Sequence, residues 1–531
     1  MGSFAGTGVL VRLALRRSRV LAGAWLGVFV LMAWGSAAAT VGLYPTASSR
    51  LAAAEAVNGS QALVALYGRV YDPTSLGAIA MIKMGGIGAV FVAVVAIVLV
   101  VRHTRGDEES GRFELVGSGV MGRLAPLTAA LLTATVVAAT LAALTALVLA
   151  AAGLPADGSL AFGLAWGGVG LAFAAIAAVT AQLTASARTA TSFAVAVLAV
   201  VYVLRGVGDA AGTAGLRWLT WMSPIGWSQQ FRPYAGNRWW VLLITLVFTI
   251  ATSATAYVLA AGRDMGTGLL PSRPGPPTAA PSLRSPLTLA WRLQRTSFLA
   301  WAIGFVALGA LLGSMASGVG GFFESDNARE LFTKLGGQKA LADAFLAVEL
   351  GAAGIVAAAF GIQSMMRARA EETSGLAEPV LAGAVSRTRF ALAHVGVAAG
   401  GATALLALGG AAVGVARAVQ LHDGAEIGRL LGGGLAHAPA AWVLIAVVAA
   451  AYGFVPRAIG VGWGLLAAFV LLAEIGPLLD LSHWVLDLSP FAHVPKVPGG
   501  AFTATPLVAL TALATVIGGA GIAGFRRRDV G

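Results

Sequence analysis

The 531-residue sequence contains no cysteine. That excludes disulfides, thiolate metal sites and thiol nucleophiles. Its six histidines are scattered and never fall in a His-Glu-x-x-His pattern, so no metalloprotease helix is written here. Charge is scarce as well: 11% of residues are Asp, Glu, Lys or Arg, and 58% are hydrophobic. Mean hydropathy is +0.84. A soluble globular chain carries about 25% charged residues. No Gly-x-x-x-x-Gly-Lys-Ser/Thr phosphate loop occurs. Lys83 is followed by Met-Gly-Gly inside an apolar run, which is the wrong order and the wrong environment. No Ser, His and Asp grouping suggests catalysis, and no cofactor or metal site is legible. Any driving energy must therefore come from a partner or from an ion gradient.

What the sequence has in abundance is apolar runs of about 20 residues, each long enough to cross about 30 Å of hydrocarbon as a helix. They are continuous, rich in Ala, Leu, Val and Gly, and lack the period-2 alternation of a barrel strand. The expected fold is an all-α polytopic membrane protein with twelve transmembrane helices. In the first half the runs cover roughly 20–43, 77–101, 124–152, 160–184, 190–208 and 238–262. In the second they cover roughly 296–318, 345–366, 388–416, 430–454, 458–478 and 502–525. The first run is long and follows a basic helix, which reads as a retained anchor rather than a cleavable leader. With both termini cytoplasmic, inner segments hold 22 of the 35 Lys and Arg residues and outer loops hold 11, with Lys83 and Arg205 inside spans. That is the positive-inside bias. The net charge of +12 is therefore a topology signal for a multi-pass protein of the cell membrane, in contact with lipids, and not a nucleic-acid footprint.

The twelve spans divide six and six. Residues 1–269 form the first half, 270–285 a Pro-rich cytoplasmic linker and 286–531 the second half. Pro271, Pro274, Pro276, Pro277 and Pro281 keep the linker extended, and Pro286 follows it. Each half opens on a basic stretch, with Arg12, Arg16 and Arg19 in one and Arg284, Arg292 and Arg295 in the other. The first set falls on one helical face and is expected to lie flat at the inner surface. Inner arginines Arg188 and Arg457 recur, as do outer Ser223-Pro224 and Ser489-Pro490, and closing Arg263-Asp264 and Arg528-Asp529. The separations are 269, 266 and 265 residues. Because each half has an even number of spans, the halves share one orientation. They are expected to be related by an axis along the membrane normal, with a pathway on that axis.

A charged segment is also duplicated between two spans of each half. Residues 108–123 and 371–387 share Glu-Glu, Ser-Gly, Glu, Val, Gly and Arg in order when one residue is inserted. Glu108, Glu109, Arg112 and Glu114 stand in the first copy, and Glu371, Glu372 and Glu378 in the second. The second copy departs from the first at Leu376 and Pro379. A short amphipathic helix projecting into the cytoplasm, with acids near its start, is expected in each; a solvated loop is the alternative. Outer segments 209–237 and 479–501 are too long for tight turns and carry Pro and Trp. They read as half-inserted helices capping a pathway, or else as interfacial loops. Four charges fall inside spans: Lys83, Arg205, Glu349 and Glu474. Arg205 and Glu474 lie 269 residues apart, and Lys83 and Glu349 lie 266 apart. They thus occupy near-equivalent places with opposite sign, which points either to pairing or to snorkelling at span ends.

With these motifs in place, the chain resembles the ABC-2-type exporter permeases of the duplicated, twelve-span actinobacterial kind, including the tetronasin-resistance and multidrug-efflux permeases. The resemblance covers essentially the whole chain. It implies two pseudo-symmetric six-helix halves with elbow helices, coupling helices and outer re-entrant segments. It further implies two copies of a separate ABC ATP-binding subunit, which would hold the ATP and Mg. Coupling would fall on Glu108, Glu109, Arg112 and Glu114, with Glu371, Glu372 and Glu378. The cargo implied is hydrophobic or amphipathic small molecules, such as antibiotics and other drugs. An ion-gradient-driven transporter and an exporter of lipid or glycolipid are the alternatives.

Overall fold

The computed structural model describes residues 2–113, 121–211, 215–264, 266–270, 277–316, 337–475 and 482–529. Among them there is no strand. Twelve helices are long and apolar enough to cross a membrane. In the first half these are α1 (Thr7–Leu43), α2 (Leu76–Glu109), α3 (Ala125–Ala151), α4 (Ala156–Leu183), α5 (Ala187–Ala210) and α6 (Val241–Ala261). In the second they are α7 (Pro286–Met315), α8 (Ala342–Thr373), α9 (Arg387–Leu421), α10 (Ala425–Phe454), α11 (Pro456–Ala473) and α12 (Ala504–Arg527). The chain forms two compact units, Met1–Gly275 and Pro276–Gly531.

Local chemistry explains several boundaries. At the start of α7, Ser285 and Thr288 cap each other's backbone N–H groups and Pro286 takes the first helical position. Ser386 caps α9 through the N–H of Arg389, at 3.3 Å. The basic stretch expected to lie flat before the first span is instead part of α1, one uninterrupted helix from Thr7 to Leu43. No proline interrupts it, so nothing forces a bend between Arg19 and the apolar run. Thirty-seven residues make a rod of about 55 Å, longer than the hydrocarbon layer is thick.

Each unit has one enclosed helix. In the apolar window of α4, 78% of residues are buried, and 72% are buried in α10. By contrast α6 and α11 bury 17% and 11% and form the flanks. The enclosed helices hold the fourth position in each half. α4 packs Phe162, Trp166 and Phe173 into the first core, and α10 packs Leu444, Ile445 and Val448 into the second.

Lipid tails provide no hydrophobic force between helices, so close approach of backbones matters. Glycines provide it here. A Cβ on Gly453 of α10 would strike the carbonyl of Gly521 on α12, and one on Gly521 would meet the backbone nitrogen of Ala450 at 2.6 Å. Gly309 and Gly313 of α7 likewise meet the backbone of Gly409 and Val413 on α9. Replacing Gly521 with leucine is expected to lower stability by about 1–3 kcal/mol through overpacking. Gly519, two residues earlier with open space around it, serves as the control. Detergent thermal unfolding of the two variants reads the difference, and equal midpoints would remove the contact from the account.

Candidate functional site: a carboxylate clasp in each half

α2 does not end at the apolar run. It continues through a wider π-type turn at Arg102–Gly106 into Asp107–Glu109. The acids thus belong to the rigid end of a span. Asp107 and Glu108 have side chains only 8% exposed. Glu108 receives both terminal nitrogens of Arg263, each at 2.8 Å, and its other neighbours are Arg105 at 3.2 Å and the N–H of Gly266. Arg263 lies two residues beyond α6, so one bidentate pair fastens the second span to the end of the half. Arg263 also donates to the Gln182 side chain at 2.8 Å, and Arg123 donates to the Arg263 carbonyl at 2.6 Å.

The second half repeats this arrangement. Glu372, 4% exposed, receives Arg528 at 2.8 Å and Arg369 at 3.1 Å. Arg387 donates to the Arg528 carbonyl at 2.6 Å. The following turn is the same in both copies. Gly111 and Gly375 have φ of 69° and 72°, and their N–H groups return to the carbonyls of Glu108 and Glu372 at 3.0 and 3.1 Å. Ser110 and Ser374 donate to the carbonyls of Asp107 and Glu371.

This geometry corrects the register of the repeat. Arg105, Asp107, Glu108, Ser110, Gly111, Arg112 and Arg123 correspond to Arg369, Glu371, Glu372, Ser374, Gly375, Leu376 and Arg387. The offset is 264 throughout, with no insertion. Glu108-Glu109 therefore does not match Glu371-Glu372; Glu109 matches Thr373. Matching the two Glu-Glu pairs directly missed this, because Asp107 is one methylene shorter than the glutamate it corresponds to. The arginines that complete each clasp were also missed as partners, although Arg105 and Arg369 share the same offset.

The other expected residues divide by exposure. Glu109 is exposed and accepts the N–H of Ala187 at 2.9 Å, which caps the start of α5. Arg112 is 57% exposed and reaches Asp107 at 3.1 Å. Glu378 is exposed on the short helix Ala377–Leu381, just past the turn. Glu114 lies outside the described residues, as does the projecting helix expected there.

The copies differ in what the first acid holds. Asp107 takes a bidentate pair from Arg17 of α1, at 2.7 and 2.9 Å. Glu371 instead takes Arg367 from its own helix at 3.0 Å, with His394 of α9 at 3.7 Å. The first half alone thus ties its opening helix into the clasp.

At the opposite end of the first half, Arg205 is wholly buried. One terminal nitrogen donates to the carbonyls of Ala65 and Leu66 at 2.9 and 3.0 Å, at the end of the short helix Gln61–Tyr67. The other faces Gln229 at 3.3 Å and Asp209 at 3.5 Å. A cation at a helix C-terminus satisfies carbonyls that the helix leaves open. Both terminal nitrogens of Arg205 are engaged within its own half. The Glu474 side chain lies outside the described residues. Lys83 is exposed, with its ammonium 5.8 Å from the centre of the Tyr67 ring, and Glu349 is half-buried on α8. The described residues 215–237 fold back on the bundle: Trp227 of the helix Pro224–Gln230 packs with Ala161 and Ala165 of α4, and Ile225 joins Phe162 and Trp166 in the first core. Among the described residues no group of His, Cys, Asp and Glu is arranged to hold a metal.

Two like six-helix halves, each clasped at one end, define a multi-pass membrane protein of transporter architecture. The family model described as the C-terminal domain of the multidrug efflux system permease Rv1217c matches residues 283–526, nearly all of the second half. Over 530 residues the chain is 44% identical to the multidrug efflux system permease protein Rv1217c of Mycobacterium tuberculosis (strain ATCC 25618 / H37Rv). That match covers 99% of this chain and 96% of the relative. The chain belongs to this family of multidrug efflux system permeases.

Breaking a buried pair by removing one charge is costly, because the other charge remains in a poor solvent. Glu108→Gln is expected to cost about 3 kcal/mol of stability. Glu109→Ala, which removes a surface cap, is expected to cost about 1 kcal/mol. In the second half, a double-mutant cycle of Glu372→Gln and Arg528→Gln should show coupling above about 1 kcal/mol in denaturant unfolding. Additive effects there would mean that the two side chains do not act as a unit.

Proposed function

We propose that the chain is the membrane subunit of an exporter that moves hydrophobic or amphipathic compounds out of the cell, driven by a separate ATP-hydrolysing subunit. The observation that carries this reading is the pair of clasped span ends. In each half a rigid helix runs through the membrane and stops in a buried Glu–Arg clasp. A left-handed turn then leads to exposed residues: Arg112 in one half, Leu376 and Glu378 in the other. A push on such a turn passes directly to α2 or α8, because the clasp leaves little play between turn and span. Two such turns suit two copies of an ATPase. The positive-inside bias supports a cytoplasmic position for this end and for both termini.

No nucleotide loop occurs in this sequence, so ATP and Mg belong to the partner. Closure of two ATPase subunits on ATP would press on the turns and change the access of a pathway through the spans. Lipids surround the chain, and the cargo is drawn from compounds that dissolve in them. Apolar spans rich in Gly, Ala, Leu and Phe suit such cargo better than charged sugars.

Reconstitution with a candidate ABC ATP-binding subunit tests the reading. Dye efflux from vesicles should require ATP, and the permease should stimulate hydrolysis. Glu378→Lys and Leu376→Glu, both on exposed side chains, should reduce stimulation severalfold while leaving the unfolding midpoint unchanged. Efflux that follows an imposed proton or sodium gradient, without any ATPase, would overturn the reading and favour gradient-driven transport.

A further inference from the structure

The first half contains a cleft that the coupling account does not use. It lies at the end away from the clasp, between the start of α2, the middle of α4 and the outer segment. Its free space, counting the open mouth, is about 520 Å³. About 60 Å³ of that is enclosed, room for a carboxylate-sized group, and the rest is open mouth. Its apolar floor is Phe162, Trp166 and Met81. Its polar wall holds two cations, Arg69 and Arg232, together with Tyr71.

The two arginines are poorly used by the protein itself. Arg232 stacks over the Tyr71 ring at 4.1 Å, and its Nε is buried without a hydrogen-bond partner among the described residues. Partial burial pulls its guanidinium down from the ordinary arginine range, with Tyr71 pulling it up and the nearby Arg238 pulling it down. Among the described residues Arg69 donates from its Nε to the Asp209 carbonyl at 3.2 Å. The Asp209 carboxylate is itself engaged by Thr220 at 2.8 Å and Arg205 at 3.5 Å. Two cations lining one cleft, neither in an ion pair among the described residues, leave a place for an anion.

The backbone supplies a second observation. Arg232, Tyr234 and Asn237 all have positive φ, at 56°, 62° and 26°. Each such non-glycine residue costs of order 1 kcal/mol or more, and strain of this kind gathers at ligand sites. Here it is held by a fixed frame. Asn237 accepts the Tyr234 N–H at 3.0 Å, and Tyr234 and Ser159 share a hydrogen bond of 3.0 Å. The Tyr234 ring fills the space that side chains would need at Gly77 and Gly158. Burial pushes the Tyr234 hydroxyl up to about 12, so it stays a neutral donor. The loop is therefore held in an unfavourable conformation whose visible result is to place Arg232 on the wall of the cleft.

We infer that this cleft is a binding site for amphipathic organic anions, with a carboxylate-type head on Arg232 and Arg69 and an apolar body over Phe162 and Trp166. This rests on the export reading above only in making such compounds a cargo class; the binding itself needs no ATPase. A planar guanidinium suits a carboxylate, and an aromatic floor suits an alkyl or ring body.

The test uses the full-length protein in lipid nanodiscs, with dansyl-labelled undecanoic acid and its neutral methyl ester as probes. Energy transfer from tryptophan reports binding, and Trp166→Phe should reduce the signal. The acid should bind about tenfold or more tightly than the ester, the size expected of a charge-assisted contact. Arg232→Gln should remove that preference and leave the ester unchanged. Arg69→Gln provides the same comparison if Arg232→Gln does not fold. Equal affinity for acid and ester, or an acid affinity that a folded variant leaves intact, would overturn the proposal. Intact acid binding without ATP-dependent efflux would instead remove the export reading and leave the site standing.

Discussion

A buried carboxylate gripped by an arginine from the far end of the same half is the constraint on which the rest depends. In a chain so short of charge, Glu108 and Glu372 are kept at low exposure at the ends of α2 and α8. Arg263 and Arg528, reaching back from beyond α6 and α12, join Arg105 and Arg369 in compensating them there. Without that closure, a bundle held mainly by glycine contacts and dispersion would have no fixed relation between its second and sixth helices. The clasp also fixes the left-handed turn at Gly111 and Gly375. The exposed residues beyond that turn are therefore presented from a rigid base rather than from a tether.

The twelve spans were legible from apolar length alone, and recurring short motifs suggested a division into halves. Hydropathy reports what a helix dissolves in, and duplication preserves spacing. What composition could not show was which acids are inside. Glu108 and Glu109 are adjacent in sequence and identical in type, yet one is buried in a bidentate pair and the other is a surface cap. Their difference is set by Arg263, more than 150 residues away. Likewise α1 was read as two pieces because its first turns are basic, although nothing in its backbone chemistry stops the helix. Arg205 stood out as a charge in an apolar run, but its partners are backbone carbonyls, which leave no trace in a side-chain pattern.

The two halves share a frame and differ in how they use it. The first ties its opening helix into the clasp through Arg17 and Asp107; the second keeps Glu371 with an arginine of its own helix. Beyond the turn, an exposed Arg112 on one side corresponds to an exposed Leu376 on the other. The cationic cleft likewise belongs to the first half, where Arg69 and Arg232 line it. Divergence of this kind is open to a fused pair and closed to a homodimer, in which every change is made twice.

The loop around Arg123 receives both ends of the first half. The N–H groups of Gly122 and Leu124 reach the carbonyls of Ala5 and Ser3 at 2.9 Å, and Arg123 itself holds Arg263. A fold whose first and last residues are moored to one three-residue stretch resembles a bead with both holes on the same side. Stringing a second bead onto it needs only a brief thread, and the entropy of that thread grows only with the logarithm of its length. A short proline-rich thread is therefore enough to join two such halves, and that is what the sequence has between them.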